Sequence, residues 1–149
     1  MKKIASLALA SLVLIVMFGC GSSPSTSSPP PVTTTSNSGG TFQSLANQGQ
    51  SVFSGKCASC HGVSGQGTST GPALWGSNHT PGQYNGATLF ASNGQAMLGF
   101  ISSSMPLTSP GSLSHADAVN VLCYLLVQDN QVTPSAIFDE SQLSGISLK

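Results

Sequence analysis

The chain has 149 residues, of which 5% are charged; the formal net charge is zero and Arg is absent. Beyond Lys2 and Lys3, only Lys56 and Lys149 stand against Asp117, Asp129, Asp139 and Glu140. A basic face for nucleic acid is therefore excluded, as is a lysine-rich ring for docking an acidic partner.

Lys2 and Lys3 precede an apolar run from Ile4 to Phe18, and Gly19-Cys20 follows. This is the layout of a secretory signal peptide over residues 1–19. The run is at the short end for a membrane span, which needs about 20 residues. Met17-Phe18-Gly19-Cys20 resembles a bacterial lipobox, so Cys20 is expected to be acylated and to become the new N-terminus. The alternative is a retained N-terminal helix with an incidental Cys. Residues 20–40 are expected to form a lipidated Cys followed by a flexible Gly/Ser/Pro/Thr-rich linker. The protein is thus expected to be exported and lipid-anchored to a bacterial membrane, with its domain in the periplasm or extracytoplasmic space. Gly21 after the Cys, in place of Asp, leans toward an outer membrane.

Residues 41–149 are expected to fold as one domain. Thr41 is placed to cap a first helix, in which Phe42, Leu45, Ala46, Gly49, Val52 and Phe53 follow helical spacing. Gly49 lowers helix propensity, so it is expected to permit a close helix contact.

Cys57-Ala58-Ser59-Cys60-His61 comes next, a C-x-x-C-H motif of the kind that attaches c-type haem. Two thiols three positions apart on one helical turn reach the two vinyl groups on one edge of a porphyrin. The next residue, His61, then sits under the iron and has a second ring nitrogen left to donate a hydrogen bond. An exported chain strengthens this reading, because c-type attachment happens outside the cytoplasm. Three other readings compete. A redox C-x-x-C wants a preceding strand, and no strand pattern is present. A Cys57–Cys60 disulfide would close a very small loop. A zinc site needs further ligands, which His79, His115 or Cys123 would supply only by coincidence.

Residues 62–86 are rich in Gly, Ser, Thr and Pro and read as a loop long enough to wrap something. Residues 87–92 are expected to form a short helical turn. Residues 95–104 read as a helix with Met97, Phe100 and Ile101 on one face, stopped by Pro106. Ser114 looks like the cap of a helix from His115 to Asp129, with Asp117 three residues on. Val119, Leu122, Cys123 and Leu126, widened by Val121, Tyr124 and Leu125, give that helix a broad apolar stripe and predict heavy burial. Ile137, Phe138, Leu143 and Ile146 are placed to lay the tail against the body.

Over most of residues 42–130 the sequence resembles the class I mono-haem cytochromes c. Gly49 and Phe53 are similar to the Gly-x-x-x-aromatic pair of that family's N-terminal helix. Cys57 to His61 match its attachment motif, and Gly71-Pro72-Ala73-Leu74 resembles its G-P-x-L segment. Ser104-Met105-Pro106 resembles the segment that delivers an axial Met, and Tyr124-Leu125 the aromatic-Leu pair of the C-terminal helix. The resemblance implies an all-α cytochrome c fold, with four to five short helices and long loops wrapped around one covalent haem c. It implies thioether attachment at Cys57 and Cys60, axial ligation by His61 and Met105, and a Pro72 carbonyl that accepts the His61 ring proton. Pro72, Trp75, Tyr124 and Leu125 would pack or support the haem.

Met105 lies at a helix end before a Pro in a polar setting, which favours ligation over gap-filling; Met97 reads as core. His79, beside Pro81, and His115, opening a helix, are the alternative ligands, and both are expected to be solvated. Cys123 is expected to be a buried small hydrophobe. With no Arg available, Trp75 and Tyr84 are candidate propionate donors; simple packing or exposure is the other reading of both rings.

A His/Met pair closes both axial positions. The expected function is a single-electron carrier serving redox partners of the dehydrogenase or terminal oxidase type, free or as a subunit, and not itself an enzyme. The alternative is a haem enzyme or gas sensor with an open or labile sixth iron position.

Overall fold

A computed structural model describes residues 39–76, 83–84, 87–88 and 92–148. The expected signal segment, Cys20, most of the linker and His79 lie outside the described residues, as does the side chain of Tyr84.

The first helix, α1 (Phe42–Lys56), starts where expected. Thr41 Oγ1 accepts the Ser44 backbone N–H at 3.1 Å, and Ser44 Oγ donates back to the Thr41 carbonyl at 2.8 Å. This capping satisfies one of the donors that a helix start leaves open. Phe42, Leu45, Ala46, Gly49 and Phe53 form the buried stripe. The chain bends at Cys57, whose N–H closes α1 on the Phe53 carbonyl at 2.8 Å, and continues into the single turn α2 (Ala58–His61).

α4 (His115–Gln128) is the centre of the molecule. Ser114 caps it by accepting the Asp117 N–H at 3.1 Å. Every residue from Ala118 to Leu126 is buried, so this helix is covered on all sides. α1 lies directly on it at Gly49. A β-carbon there would overlap the Asn120 carbonyl and come within 3.0 Å of Tyr124 Cβ. Only a residue without a side chain lets the two backbones approach this closely.

α3 (Gly94–Ser104) is capped by Asn93, whose Oδ1 accepts the Ala96 N–H at 2.9 Å. Its buried stripe is Gly94, Leu98 and Ile101. Of the expected face of Met97, Phe100 and Ile101, Ile101 is buried and Met97 packs half-buried against the core, whereas Phe100 is only half-buried and Leu98 takes the central place. The tail packs on Gly94, and Gly94, Leu98 and Ile101 form the inward face. The expected helical turn at 87–92 is corrected at its start; residues 89–91 lie outside the described residues. Ala87–Thr88 (β2) pairs antiparallel with Gln83–Tyr84 (β1), the register being Gln83 with Thr88 and Tyr84 with Ala87. The intervening Asn85-Gly86 is a hairpin-favouring dipeptide. This small pair is the only named sheet among the described residues, whose other elements are helices.

The tail returns over the body as expected. Phe138 meets Phe42 edge-on, with centroids 5.4 Å apart, and Leu143 in the 3-10 helix Glu140–Gly145 is fully buried. Ile146 is half-buried, but Ile137 is not part of the seal. It is 65% exposed, because its backbone pairs with Thr41 and turns the side chain outward.

Two glycines separate steric need from propensity. Gly49→Ala is expected to lower stability by about 2 kcal/mol, because the opposing atom is backbone and cannot rotate away. Gly99→Ala, in α3 with open space around it, should raise stability by up to about 1 kcal/mol. Denaturant midpoints of the two variants measure both.

Candidate functional site

The site is built where α1 hands over to α2. The Cys57 carbonyl accepts the N–H groups of both Cys60, at 3.1 Å, and His61, at 3.0 Å. The two sulfurs and the imidazole therefore issue from one tight turn. Cys57 and Cys60 are free, half-buried thiols. Burial pushes the Cys57 thiol above its ordinary range; Lys56 pulls it down and Cys60 pushes it up, both more weakly.

His61 is half-buried and its Nδ1 lies 2.9 Å from the Pro72 carbonyl oxygen. A carbonyl only accepts, so Nδ1 carries the proton and donates it. Nε2 is then the nitrogen with a free lone pair, which is the arrangement a metal-ligating His needs.

The loop after His61 is folded back on the turn to make this contact. Gly67 N–H donates to the His61 carbonyl at 2.8 Å, Leu74 N–H to the Gly65 carbonyl at 2.8 Å, and Thr68 N–H to the Gly71 carbonyl at 2.8 Å. The Thr68 hydroxyl donates to the Cys60 carbonyl. Gly71 sits so close that a β-carbon would lie 2.8 Å from the Cys60 carbonyl oxygen and 3.1 Å from His61 Nδ1. Gly65 would overlap the Trp75 ring in the same way.

Trp75 closes the loop against the helix pair. Its ring centroid is 5.2 Å from Phe53 and 5.6 Å from Tyr124, and Phe53 and Tyr124 are 5.3 Å apart. Such mutual aromatic contacts add to simple burial. Tyr124 and its neighbour Leu125 are both buried on α4, and burial raises the Tyr124 hydroxyl pKa.

Met105 comes from a separate element. It is half-buried at the C-terminal cap of α3, with its N–H on the Ile101 carbonyl at 3.3 Å. Cys57, Cys60, His61 and Pro72 are thus brought together directly. Trp75 packs on Tyr124, Leu125 lies in the core, and Met105 ends α3. Thr68 and Gly65 escaped the sequence reading; a Gly/Thr/Ser-rich loop has no periodicity to mark them. His115 is exposed and pairs with Glu140, Nε2 to Oε2 at 3.0 Å. Cys123 is fully buried, and its thiol is pushed up to about 12 by desolvation. No group of three or more His, Cys, Asp or Glu side chains able to hold a bare metal ion is present among the described residues.

A helical domain that presents two thiols and an oriented imidazole on one turn defines a covalent haem-binding protein. The chain belongs to the Cytochrome c family, whose model matches residues 46–128. The cofactor is haem c, with Cys57 and Cys60 at the attachment spacing, and a domain of this kind points to electron transfer. The donor set found here suits it: two free, half-buried thiols and an imidazole whose second nitrogen is already engaged.

The chain is 38% identical over 96 residues to a Thiosulfate dehydrogenase of Stutzerimonas stutzeri (strain A1501), covering 60% of this chain and 29% of that protein. It therefore spans less than a third of that relative's length. Among solved structures it resembles the Sulfane Dehydrogenase SoxCD from Paracoccus pantotrophus, at TM-score 0.54 and 22% identity, over 74% of this chain and 54% of that one. It also matches Thiosulfate dehydrogenase (TsdBA) from Marichromatium purpuratum, at TM-score 0.43 and 25% identity, over 54% and 17%.

Gly71→Ala is expected to push the loop away from the Cys60 carbonyl, and the Pro72 carbonyl off His61 with it. The imidazole loses electron-donating character, so the reduction potential should rise by about 30–60 mV, the equivalent of one ordinary hydrogen bond. Redox titration of the variant reads this directly.

The buried Cys123 thiol predicts an alkaline effect with a definite sign. Its folded pKa lies above the ordinary value of 9.0, so the unfolded chain loses its proton first. Stability should fall from about pH 9 upward, by about 1.4 kcal/mol per pH unit from this group. Cys123→Ala is less stable at neutral pH but should show a shallower alkaline decline, as seen in denaturant midpoints across that range.

Proposed function

We propose that this chain is a mono-haem, single-electron carrier with His61 and Met105 as axial ligands. The observation that carries the reading is the His61 Nδ1 to Pro72 carbonyl hydrogen bond, on the turn that also bears Cys57 and Cys60. When bound, haem c supplies a one-electron iron couple. Cys57 and Cys60 fix it covalently, and His61 offers Nε2 in an orientation held from behind by Pro72. Met105, at the end of α3, would supply the second axial ligand. Trp75, Tyr124 and Leu125 supply apolar packing and exclude water. With His61 and Met105 both held to the iron, small molecules would be kept out and the chemistry would be electron transfer.

The carrier works outside the cytoplasm, anchored through an acylated Cys20. The Gly/Ser/Pro/Thr-rich composition after Cys20 suits a tether. That tether raises the local concentration of the domain near a membrane partner. The partners are redox proteins of the dehydrogenase or terminal oxidase type. Similarity to a relative named Thiosulfate dehydrogenase supports an electron donor that oxidises reduced sulfur compounds, with this chain as shuttle or subunit.

The ferric protein is expected to show the weak red-edge absorption band of Met-to-iron ligation, and its reduced form to resist carbon monoxide. Met105→Ala should lose the band and bind carbon monoxide readily. A wild-type protein that already binds it would instead support the enzyme or sensor reading. Pigment should remain with the protein in acidic organic solvent. Because charge is scarce, electron-transfer rates with a partner should vary little with ionic strength.

A further inference from the structure

The family match ends at residue 128, yet the chain continues as an ordered strap. This strap has two arms. The first runs beside the start of α1: Gln43 N–H donates to the Pro134 carbonyl at 2.9 Å, Phe42 N–H to Ala136 at 3.0 Å, and Phe138 N–H to Gly40 at 2.8 Å. The second arm grips the start of α3. Gly94 N–H donates to the Ile146 carbonyl at 2.9 Å, Leu148 N–H to the Ser92 carbonyl at 3.2 Å, and Asn93 bridges Ser147.

Leu143 is the pivot of the second arm. It is fully buried, and Gly94 packs against it so tightly that a β-carbon there would lie 3.0 Å from its carbonyl oxygen and 3.3 Å from its Cδ2. Gly94, Leu98 and Ile101 share the buried face of α3, which meets the strap and α4. The same helix ends at Met105. An eleven-residue helix is a rigid rod about 16 Å long, so a shift at Gly94 is carried to its far end.

We infer that the second arm of the strap, through Leu143 against Gly94, is a positioning device that sets how firmly Met105 is held toward the haem. This rests on the reading of Met105 as the sixth ligand. Leu143 acts through α3 and touches no cofactor. The first arm, by contrast, serves only to seal α1.

The test uses full-length haem-loaded protein. Leu143→Ala should keep its covalent haem and helical content but lose much of the red-edge Met band. Its rate of carbon monoxide binding should rise about tenfold, in proportion to the population with Met105 detached. Leu143→Met, which refills the volume, should restore both. Phe138→Leu, on the first arm, should lower the denaturant midpoint while leaving band and binding rate at wild-type values. If Leu143→Ala does not fold, Gly94→Ala presses a methyl into the same contact and should give the same signature in milder form. A wild-type protein showing the band, with neither Leu143→Ala nor Gly94→Ala altering it, overturns the positioning role alone. Equal ligand loss in Phe138→Leu also overturns it, since the effect would then be general loosening. A wild-type protein lacking the band overturns the Met105 reading, and the inference with it.

Discussion

The hydrogen bond between His61 Nδ1 and the Pro72 carbonyl is the constraint on which the site depends. An imidazole at the end of a one-turn helix would otherwise rotate freely and present either nitrogen. Holding it requires a carbonyl delivered from outside the helix, and that in turn requires the loop to fold back on itself. The glycines at 62, 65 and 67, each with positive φ, allow the reversal. Gly71 then brings Pro72 within reach because nothing projects between it and Cys60. The ring contacts of Trp75 with Phe53 and Tyr124 carry the loop onto the crossing of α1 and α4. A backbone contact at Gly49 and a hydrogen bond at His61 are therefore parts of one mechanical chain.

Much of this could be read from the residues because the demands are local. The attachment spacing is fixed by the pitch of one helical turn, and the caps Thr41 and Ser114 act within three residues. Gly49 stood out because a glycine inside an otherwise good helix needs a reason, and Asn120 supplies it. The face of α3 could not be read in this way. Met97, Leu98, Phe100 and Ile101 crowd two overlapping stripes, and the choice between them is made by Leu143, some forty residues away. The strands at 83–84 and 87–88 are too short to show alternation, so only the Asn85-Gly86 pair could have hinted at them. Thr68 gave no signal at all, since its partner is a backbone carbonyl.

Sparse charge links the architecture to the proposed role. A carrier that meets its partners through long-range attraction needs a charged face, and the folded region has too few charges to make one. Lys56 stands alone beside the attachment turn. Asp117, Asp129, Asp139 and Glu140 lie at the ends of α4 and on the strap, and Glu140 faces His115. An exposed pair of that kind contributes at most about 1 kcal/mol and does little for encounter. Short-range contact at an uncharged surface gives weak, quickly reversible complexes, which suits a protein that must release its partner after each electron. What such a surface cannot give is a high encounter rate. On the proposed reading the linker supplies it, by confining the domain to a thin layer over the membrane. Confinement and lack of charge are then complementary: one removes the need for the other, and specificity is left to the shape of the region around the haem edge.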